Sequence, residues 1–411
     1  VGDESGTALA SGDYNTAVGY QSLESEIGGQ SSTAIGYRAL YAQNTSNDNN
    51  NTAVGRSAGL SITSGTNNTL IGSLAGDALD DADNNVALGN SALGADTLGS
   101  RSTALGRSAL ASQNFTSATD SYNVAVGYNA GKNVLTATGN TLIGGLAGDA
   151  LTTGSSNVAV GQSALGAETG GGANVAVGKS TLAAQNVNSA GYNTAVGHEA
   201  GNDITSGIYN TLIGALAGDA LTDADTNVAI GASSLSADTK GSKSTAVGHS
   251  ALEAQNFTSS TFSHNTAIGA DSGKAISTGI GNTILGSSAG SVLTTGLRNT
   301  LLGYNAGLAL ATSNSDNVFV GQGSGSAITS GDANVIIGRY NGNVGGLDIR
   351  TSSNNIVLAD GDGNPRIMVN SNGYFHASQN VADSQHYNST NFHSISTSNT
   401  QPALFVENSG D

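Results

Sequence analysis

Residues 140–151 read NTLIGGLAGDAL, and nearly the same twelve residues occur at 68–79 as NTLIGSLAGDAL and at 210–221 as NTLIGALAGDAL. The three copies begin at Asn68, Asn140 and Asn210, at nearly equal intervals. Each starts with an N-x-x-x-G unit that recurs along most of the chain. Such repetition is typical of architectures in which stacked units bury one continuous core.

The glycine that closes each unit gives the period. From Gly2 to Gly338 these glycines are separated by nineteen spacings, and fourteen of the spacings are 17 residues. Asn stands four residues before each glycine from Gly19 onward, except where Ser32, Ser102 and Ser244 replace it. The units also cycle in fours, which gives a larger repeat with one copy of the twelve-residue stretch in each.

The apolar runs within each unit are four or five residues long, which favours a strand over a helix. In the unit NTAVG at residues 15–19 the second and fourth side chains point to one face and the third to the other. Both faces are apolar or small, so one face can look into the coil and the other needs a neighbouring chain. We predict an all-β parallel β-solenoid of about 20 coils over residues 1–345, associated with other chains.

Two residue types have predicted structural roles. A glycine at a fixed position permits positive φ or close backbone approach. An asparagine at a fixed position stacks on its equivalents every ~4.8 Å and forms an amide ladder. The predicted ladder includes Asn68, Asn85, Asn123, Asn140, Asn157, Asn174, Asn193, Asn210 and Asn227. The predicted turn glycines include Gly72, Gly89, Gly127, Gly144, Gly161, Gly197 and Gly214.

The NTAVG and NVAVG units resemble the head repeats of trimeric autotransporter adhesins. They are even more similar to the N-T-A-V-G-Y-x-A-G arrays of bacteriophage tail fibres. This resemblance covers residues 1–340 and implies a left-handed β-roll. It also implies a homotrimer, in which each chain packs beside two identical chains. The implied location is extracellular, on a virion tail fibre or a cell surface.

Beyond residue 345 the pattern changes. The stretch NNIVLADGDGNPRIMVNSNGYFHA, residues 354–377, predicts three strands joined by turns, a short β-meander. Residues 360–364, DGDGN, are the signal for the first hairpin turn. The segment 346–411 resembles the one that follows repeat arrays in tail fibres. We expect the chain to be a piece of a longer protein.

Composition excludes several classes of partner. The formal net charge is −17, with 13 Lys and Arg against 30 Asp and Glu, and cysteine is absent. Such a surface repels phosphate backbones and anionic lipid, so we expect no nucleic-acid partner. No apolar run approaches the length of a membrane span, so we expect no membrane insertion by this segment.

Two stretches match a catalytic motif, but the equivalent coils of the other four-coil repeats carry different residues at the same position. The stretch 55–59, GRSAG, fits the nucleophile elbow G-x-S-x-G, as does 286–290. At the position of Ser57 the equivalent coils have Asn129 and Glu199, and the sequence shows no strand–turn–helix pattern around it. We therefore predict no catalytic residue, no enzymatic activity and no cofactor.

Three places could hold a metal ion, and none is predicted to do so. The acidic turns are interpreted as solvated turn residues, with a Ca²⁺ site as the alternative. The turn 360–364 begins like a calcium loop but has Ser371 where the closing Glu belongs. The remaining alternative is an axial metal pooled from three chains by His376, His386 or His393. The acidic turn residues are Asp77, Asp80, Asp81, Asp83, Asp219, Asp223 and Asp225.

Four longer loops, at about residues 42–50, 112–122, 184–192 and 254–264, leave the stack at one corner every four coils. Loops on a rigid scaffold often bind, so these are the candidate receptor loops, with a cell-surface glycan or protein as the possible partner. Their aromatic residues are Phe115, Tyr122, Phe257 and Phe262. The alternative is that these aromatics fold back and cover apolar edges of the solenoid.

The sequence thus favours a structural fibre shaft of a trimeric phage tail fibre that mediates host-cell attachment. A bacterial trimeric surface adhesin and a self-assembling extracellular filament are the alternatives. A β-helical polysaccharide-degrading enzyme comes last. Such an enzyme needs a groove with a fixed carboxylate pair, and none interrupts the repeat.

Overall fold

The computed structural model of the chain describes residues 2–377. The chain forms two compact units, Val1–Thr226 and Asn227–Asp411. The described residues are all-β, and none of them forms a helix that could cross a membrane. The predicted segment 346–411 is therefore described only as far as residue 377, and its last part, with His386 and His393, lies outside the described residues.

The first unit is a parallel β-solenoid in which each coil contributes a three-residue strand. Neighbouring strands pair in strict register, so that Leu142 lies opposite Ala125 on one side and Ala159 on the other. The pairing order is β1 to β5, β7 and β9 to β14, while β6 pairs in parallel with β8 in a separate two-stranded sheet. The strands are β1 (Thr16–Val18), β2 (Thr33–Ile35), β3 (Thr52–Val54), β4 (Thr69–Ile71), β5 (Val86–Leu88), β6 (Gly99–Ser100), β7 (Thr103–Leu105), β8 (Thr119–Asp120), β9 (Val124–Val126), β10 (Thr141–Ile143), β11 (Val158–Val160), β12 (Val175–Val177), β13 (Thr194–Val196) and β14 (Thr211–Ile213).

The second unit repeats this solenoid and then ends in an antiparallel meander. Its parallel sheet runs through β15, β17, β19 to β23 and β26, and β16 pairs in parallel with β18. Strand β26 also pairs antiparallel with β27, and β27 with β28. The strands are β15 (Val228–Ile230), β16 (Gly241–Ser242), β17 (Thr245–Val247), β18 (Thr261–Phe262), β19 (Thr266–Ile268), β20 (Thr283–Leu285), β21 (Thr300–Leu302), β22 (Val318–Val320), β23 (Val335–Ile337), β24 (Asn343–Val344), β25 (Leu347–Asp348), β26 (Ile356–Ala359), β27 (Pro365–Val369) and β28 (Phe375–Ala377).

The predicted fold class is confirmed. Both units are parallel solenoids in which equivalent atoms of adjacent coils mostly lie 17 residues apart, and a meander follows. The last parallel strand, β26, belongs to the segment that the sequence assigned to the meander. There Ala359 takes the place of the coil glycine, and the chain turns back through the hairpin at 360–364 instead of starting another coil.

The core is a thin column of small and medium apolar side chains. In the coil of β10, the inward-facing Leu142, Ala147 and Leu151 are fully buried. The equivalents in neighbouring coils stack on them, so each coil buries apolar surface only by having neighbours. This arrangement gives a buried core to a chain with no tryptophan, one methionine and 37% hydrophobic residues.

The coil glycines are required by both conformation and space. Gly144 has φ of 136°, and a Cβ built on it lies 2.5 Å from the carbonyl oxygen of Gly161 in the next coil. Gly161 stands in the same relation to Gly178. The backbones approach closely along the whole row, so the predicted role of these glycines is what the structure shows.

After each glycine the chain takes a sharp corner that uses left-handed residues other than glycine. Leu146 and Leu165 have φ of 61° and 54°. A left-handed conformation costs an L-residue about 1–2 kcal/mol. Here the cost is offset because the backbone N–H of Leu146 donates to the carbonyl of Tyr128 in the preceding coil, at 2.9 Å. The sequence alone gave no sign of these left-handed leucines.

Candidate functional site: the outer sheet face

Side chains alternate strictly along each strand, and this sorts them into an inner and an outer set. In the coil of β10, Asn140 and Leu142 are buried, whereas Thr141 is half-buried and Ile143 is 39% exposed. The outward positions of a coil are the residue before the Asn, the first and third strand residues, and the residue after the glycine. We call the surface that these four columns form in each unit, starting in the first unit at the coil of β1, the outer sheet face.

The third column of this face is a continuous apolar row. It contains Val, Ile or Leu in every coil, and many of these side chains are well exposed, with Leu88 at 45% and Ile337 at 47%. In the first unit the row is Val18, Ile35, Val54, Ile71, Leu88, Leu105, Val126, Ile143, Val160, Val177, Val196 and Ile213. Scattered exposed apolar residues are ordinary, but a contiguous row is typical of an interaction site.

Tyrosines line both edges of the face. On the edge before the Asn, the rings of Tyr192 and Tyr209 stack across two coils with centroids 5.2 Å apart. On the edge after the glycine, Tyr20 and Tyr37 stack at 5.7 Å. The guanidinium of Arg107 lies 5.7 Å from the ring centroid of Tyr128, within range of a cation–π interaction.

Charge is unevenly distributed between this face and the rest of the first unit. Residues 1–226 contain nineteen Asp and Glu and only six Lys and Arg. Four of the six basic residues and none of the acidic ones stand in the outward columns from β1 to β14; the four are Arg56, Arg101, Arg107 and Lys179. In the second unit the acids of these columns, Asp316 and Asp360, are each paired with an arginine. Enrichment in Tyr and Arg with depletion of acids is the compositional signature of protein interfaces.

The inward asparagines form a hydrogen-bonded ladder in each unit. The backbone N–H of Asn140 donates to Oδ1 of Asn123 at 3.0 Å, and the N–H of Asn157 donates to Oδ1 of Asn140 at 2.9 Å. The amide Nδ2 of Asn140 donates to the carbonyl of Gly154 at 3.0 Å. The ladder therefore joins side chain to backbone more than amide to amide. Its predicted members Asn68, Asn85, Asn174, Asn193, Asn210 and Asn227 are likewise fully or almost fully buried.

A glutamine compensates at the three positions where serine replaces asparagine. Nε2 of Gln113 donates to Oγ of Ser102 at 2.8 Å, and Oε1 of Gln113 accepts from Nδ2 of Asn123 at 2.9 Å. The glutamine thus supplies the amide that an asparagine at position 102 would supply. Gln43 and Gln255 do the same beside Ser32 and Ser244.

Sequence reasoning missed four buried carboxylates that lie under the long loops: Glu26, Asp96, Glu168 and Asp238. All are fully buried, and amide groups of the chain donate hydrogen bonds to each of them. The available signal was their recurrence once in every four coils, always with a glutamine one coil later. Those glutamines are Gln43, Gln113, Gln185 and Gln255.

Of the four aromatic residues predicted in the candidate receptor loops, two are buried and two are exposed. Phe115 and Phe257 are only 5% and 6% exposed, so they fold back onto the solenoid and cannot present their rings to a receptor. Here the prediction was wrong and its alternative is correct. The ring of Phe257, for example, lies over Gly241, where a built Cβ would be 2.8 Å from it. Tyr122 and Phe262 remain exposed. Tyr122 belongs to the outer sheet face, and the ring of Phe262 lies beside Lys243 and His264 at its edge.

The acidic turns carry no arrangement that could hold a metal ion among residues 2–377. Desolvation by partial burial raises the pKa of Asp77, Asp149 and Asp219, which occupy equivalent positions. In the hairpin turn, the backbone N–H of Asn364, helped by Arg366, lowers the pKa of Asp360. That aspartate closes the turn, as the sequence indicated.

No protein-family model, curated protein or solved structure shows significant similarity to this chain.

Proposed function

We propose that this chain is the shaft segment of a fibre, built by association of identical chains along the outer sheet face. A β-solenoid is compatible with a fibrous structural protein. The observation that carries the proposal is the exposed apolar row, which lies on a face of the first unit whose columns contain no acidic residue from β1 to β14.

The size of the face is sufficient for stable association. Twelve strands spaced ~4.8 Å apart make the row of the first unit about 53 Å long, and a width of about 12 Å gives an area near 640 Å². A standard interface buries about 800 Å² per partner, which the tyrosine edges would complete.

The charge pattern favours the same surface. With a net charge of −17, two copies of the chain repel each other at most orientations. Contact through the outer sheet face brings together the surface with the fewest acids, so it minimises this repulsion.

The repeat itself points to a biological role. Its N-T-A-V-G units resemble those of phage tail fibres, so we favour a homotrimeric tail-fibre shaft that mediates host-cell attachment outside the cell. Closed cyclic symmetry gives every chain the same environment. A bacterial trimeric surface adhesin and a self-assembling extracellular filament are the second candidates. The same exposed row supports them equally.

Sedimentation equilibrium of matched variants tests the association. Ile143→Lys places a charge in the apolar row, and Leu135→Lys places one on a comparably exposed leucine away from the face, 44% against 39%. We expect Ile143→Lys to shift the protein to monomers and Leu135→Lys to leave the assembly intact. A wild-type protein that is monomeric at micromolar concentration contradicts the proposal.

Charge reversal gives an independent comparison. Arg107 lies on the outer sheet face, and Lys132 is an exposed cation of the next coil outside it. Arg107→Glu and Lys132→Glu change the net charge equally. Only Arg107→Glu should weaken association, by about tenfold or more, because only it puts an acid into the contact. Equal effects would mean that net charge alone governs assembly.

A further inference from the structure

The four buried carboxylates share one set of contacts. Oδ1 of Asp96 accepts from the backbone N–H of Gly99 at 3.0 Å and of Phe115 at 3.2 Å, and its Oδ2 accepts from Nε2 of Gln113 at 2.5 Å. Both oxygens of this carboxylate are therefore engaged by a donor. Two of the donors, Gln113 and Phe115, belong to the coil that carries the long loop.

The same contacts recur under the other loops. Glu168 accepts from the N–H groups of Gly171 at 2.6 Å and Val187 at 3.2 Å, and from Gln185 at 3.1 Å. In each case a glycine follows the acid by three residues, a glutamine by 17 and the bonded loop residue by 19. The sets are Glu26, Gly29, Gln43 and Thr45; Asp96, Gly99, Gln113 and Phe115; Glu168, Gly171, Gln185 and Val187; Asp238, Gly241, Gln255 and Phe257.

The glycine is needed because the carboxylate occupies the space that its side chain would take. A Cβ on Gly99 would collide with Oδ2 of Asp96, and one on Gly171 would lie 2.6 Å from Oε2 of Glu168. The acid therefore lies directly against the backbone of its own turn and holds the loop coil from below.

The type of acid follows the length of the loop. The coils closed by Gly55 and Gly197 have 19 residues, and beneath them the acid is Glu, with Thr45 or Val187 as the bonded loop residue. The two longer coils, in which equivalent serines lie 21 residues apart, have Asp beneath them and a buried Phe. A longer acid with a smaller loop residue fills the same space as a shorter acid with a phenyl ring.

We propose that each buried carboxylate, with its glycine and glutamine, is a lock that fixes the base of a long loop, in two forms matched to loop length. The loop tip beyond the lock is then free to vary. In the second loop residues 116–118 are all exposed, and in the fourth so are residues 258–260. The locked loops are thus interchangeable display segments on a solenoid whose fold does not depend on their tips. This inference does not rest on the proposed function.

The pairing of acid type with loop residue supplies the decisive test, in the whole 411-residue chain. Asp96→Glu alone overfills the lock because Phe115 remains, so we expect protease cleavage at residues 116–118 to accelerate about tenfold. Asp96→Glu combined with Phe115→Val gives this coil the acid and the bonded loop residue of the third lock, and its cleavage rate should return towards wild type. A double variant that is cleaved faster than both single variants would overturn the matching of acid to loop residue.

Asp96→Asn tests the lock itself. The new amide group would face either Gln113 or two backbone N–H groups, and Gln113 cannot turn over without releasing Asn123. We expect faster hydrogen exchange at the Phe115 amide, by about tenfold or more, with unchanged exchange at the amide of Gly161 two coils away. The control is Asp83→Asn, an acid outside the locks. Unchanged exchange at Phe115 would refute the lock.

Insertions at a loop tip test the lock even if the Asp96→Asn variant does not fold. Eight Gly and Ser residues between Ser117 and Ala118 should leave the unfolding midpoint within about 2 °C of wild type. The same insertion between Thr153 and Gly154, in a 17-residue coil without a lock, should lower the midpoint by more than 5 °C. Equal losses at the two sites would show that the loop tips are not independent of the solenoid.

Discussion

Gly144→Ala is the sharpest test of how the coils are held together. The chain offers a matched control in the next residue, Gly145, because a Cβ built there meets no atom within 4 Å. The same substitution at adjacent positions therefore differs only in what the new methyl group touches and in the backbone conformation required.

The magnitude follows from the geometry. An alanine at 144 must keep φ near 136°, which costs about 1–3 kcal/mol in strain. Its Cβ would lie 2.5 Å from the carbonyl oxygen of Gly161, so the two coils must separate by about 0.5 Å or more. The flanking bonds, Gly144 N–H to Val126 and Gly161 N–H to Ile143, then weaken, at about 1 kcal/mol each. The expected loss is about 3–5 kcal/mol per chain.

Chemical denaturation at fixed protein concentration measures this loss, since association makes stability depend on concentration. Gly144→Ala should lower the free energy of unfolding by the amount above, while Gly145→Ala should change it by less than about 0.5 kcal/mol, as for most surface substitutions. Hydrogen exchange should place the damage at the coils of β10 and β11. Equal stabilities for the two variants would refute the view that close backbone approach makes the glycine row essential.

Asn140→Leu should lower the free energy of unfolding by about 1–3 kcal/mol per chain, because it leaves the N–H of Asn157 and a turn carbonyl without partners. Asn188→Leu, on an exposed loop, should lower it little. Equal thermal midpoints for the two variants would refute the ladder. Asp219→Asn should raise the thermal midpoint at pH 7. Burial raises the pKa of this carboxyl, so the folded state binds the proton more tightly and stability falls as pH rises above the usual value of 3.8. The gain of the variant should vanish near pH 3, and a gain independent of pH would contradict this reasoning. Phe115→Ala should destabilise its loop by about 3 kcal/mol through a cavity, as measured by hydrogen exchange. Phe262→Ala, on an exposed ring in cation–π contact with Lys243, should cost less than about 1 kcal/mol by the same measurement.

The sequence alone determined the solenoid, its period and its direction of pairing. These follow from local rules: a three-residue strand alternates inward and outward, and a 17-residue unit is too short to bury its own core. The glycine and asparagine rows could be predicted for the same reason, since a residue fixed in the period meets its own equivalents in the next coil. The turn at Asp360 could likewise be predicted from its Asp and Gly residues.

The locks, the buried loop phenylalanines and the left-handed leucines were decided only by the tertiary structure. Asp96 meets Gln113 and Phe115 because coils of unequal length stack, and the long coil must close over a fixed cross-section. Asp96 shares with the other three buried acids a glycine three residues later, but the glutamine and the phenylalanine that it contacts lie a whole coil away in the sequence. Whether a polar side chain lies inside or outside a coil depends on where the corners fall, and the hydrogen bonds between neighbouring coils determine those corners.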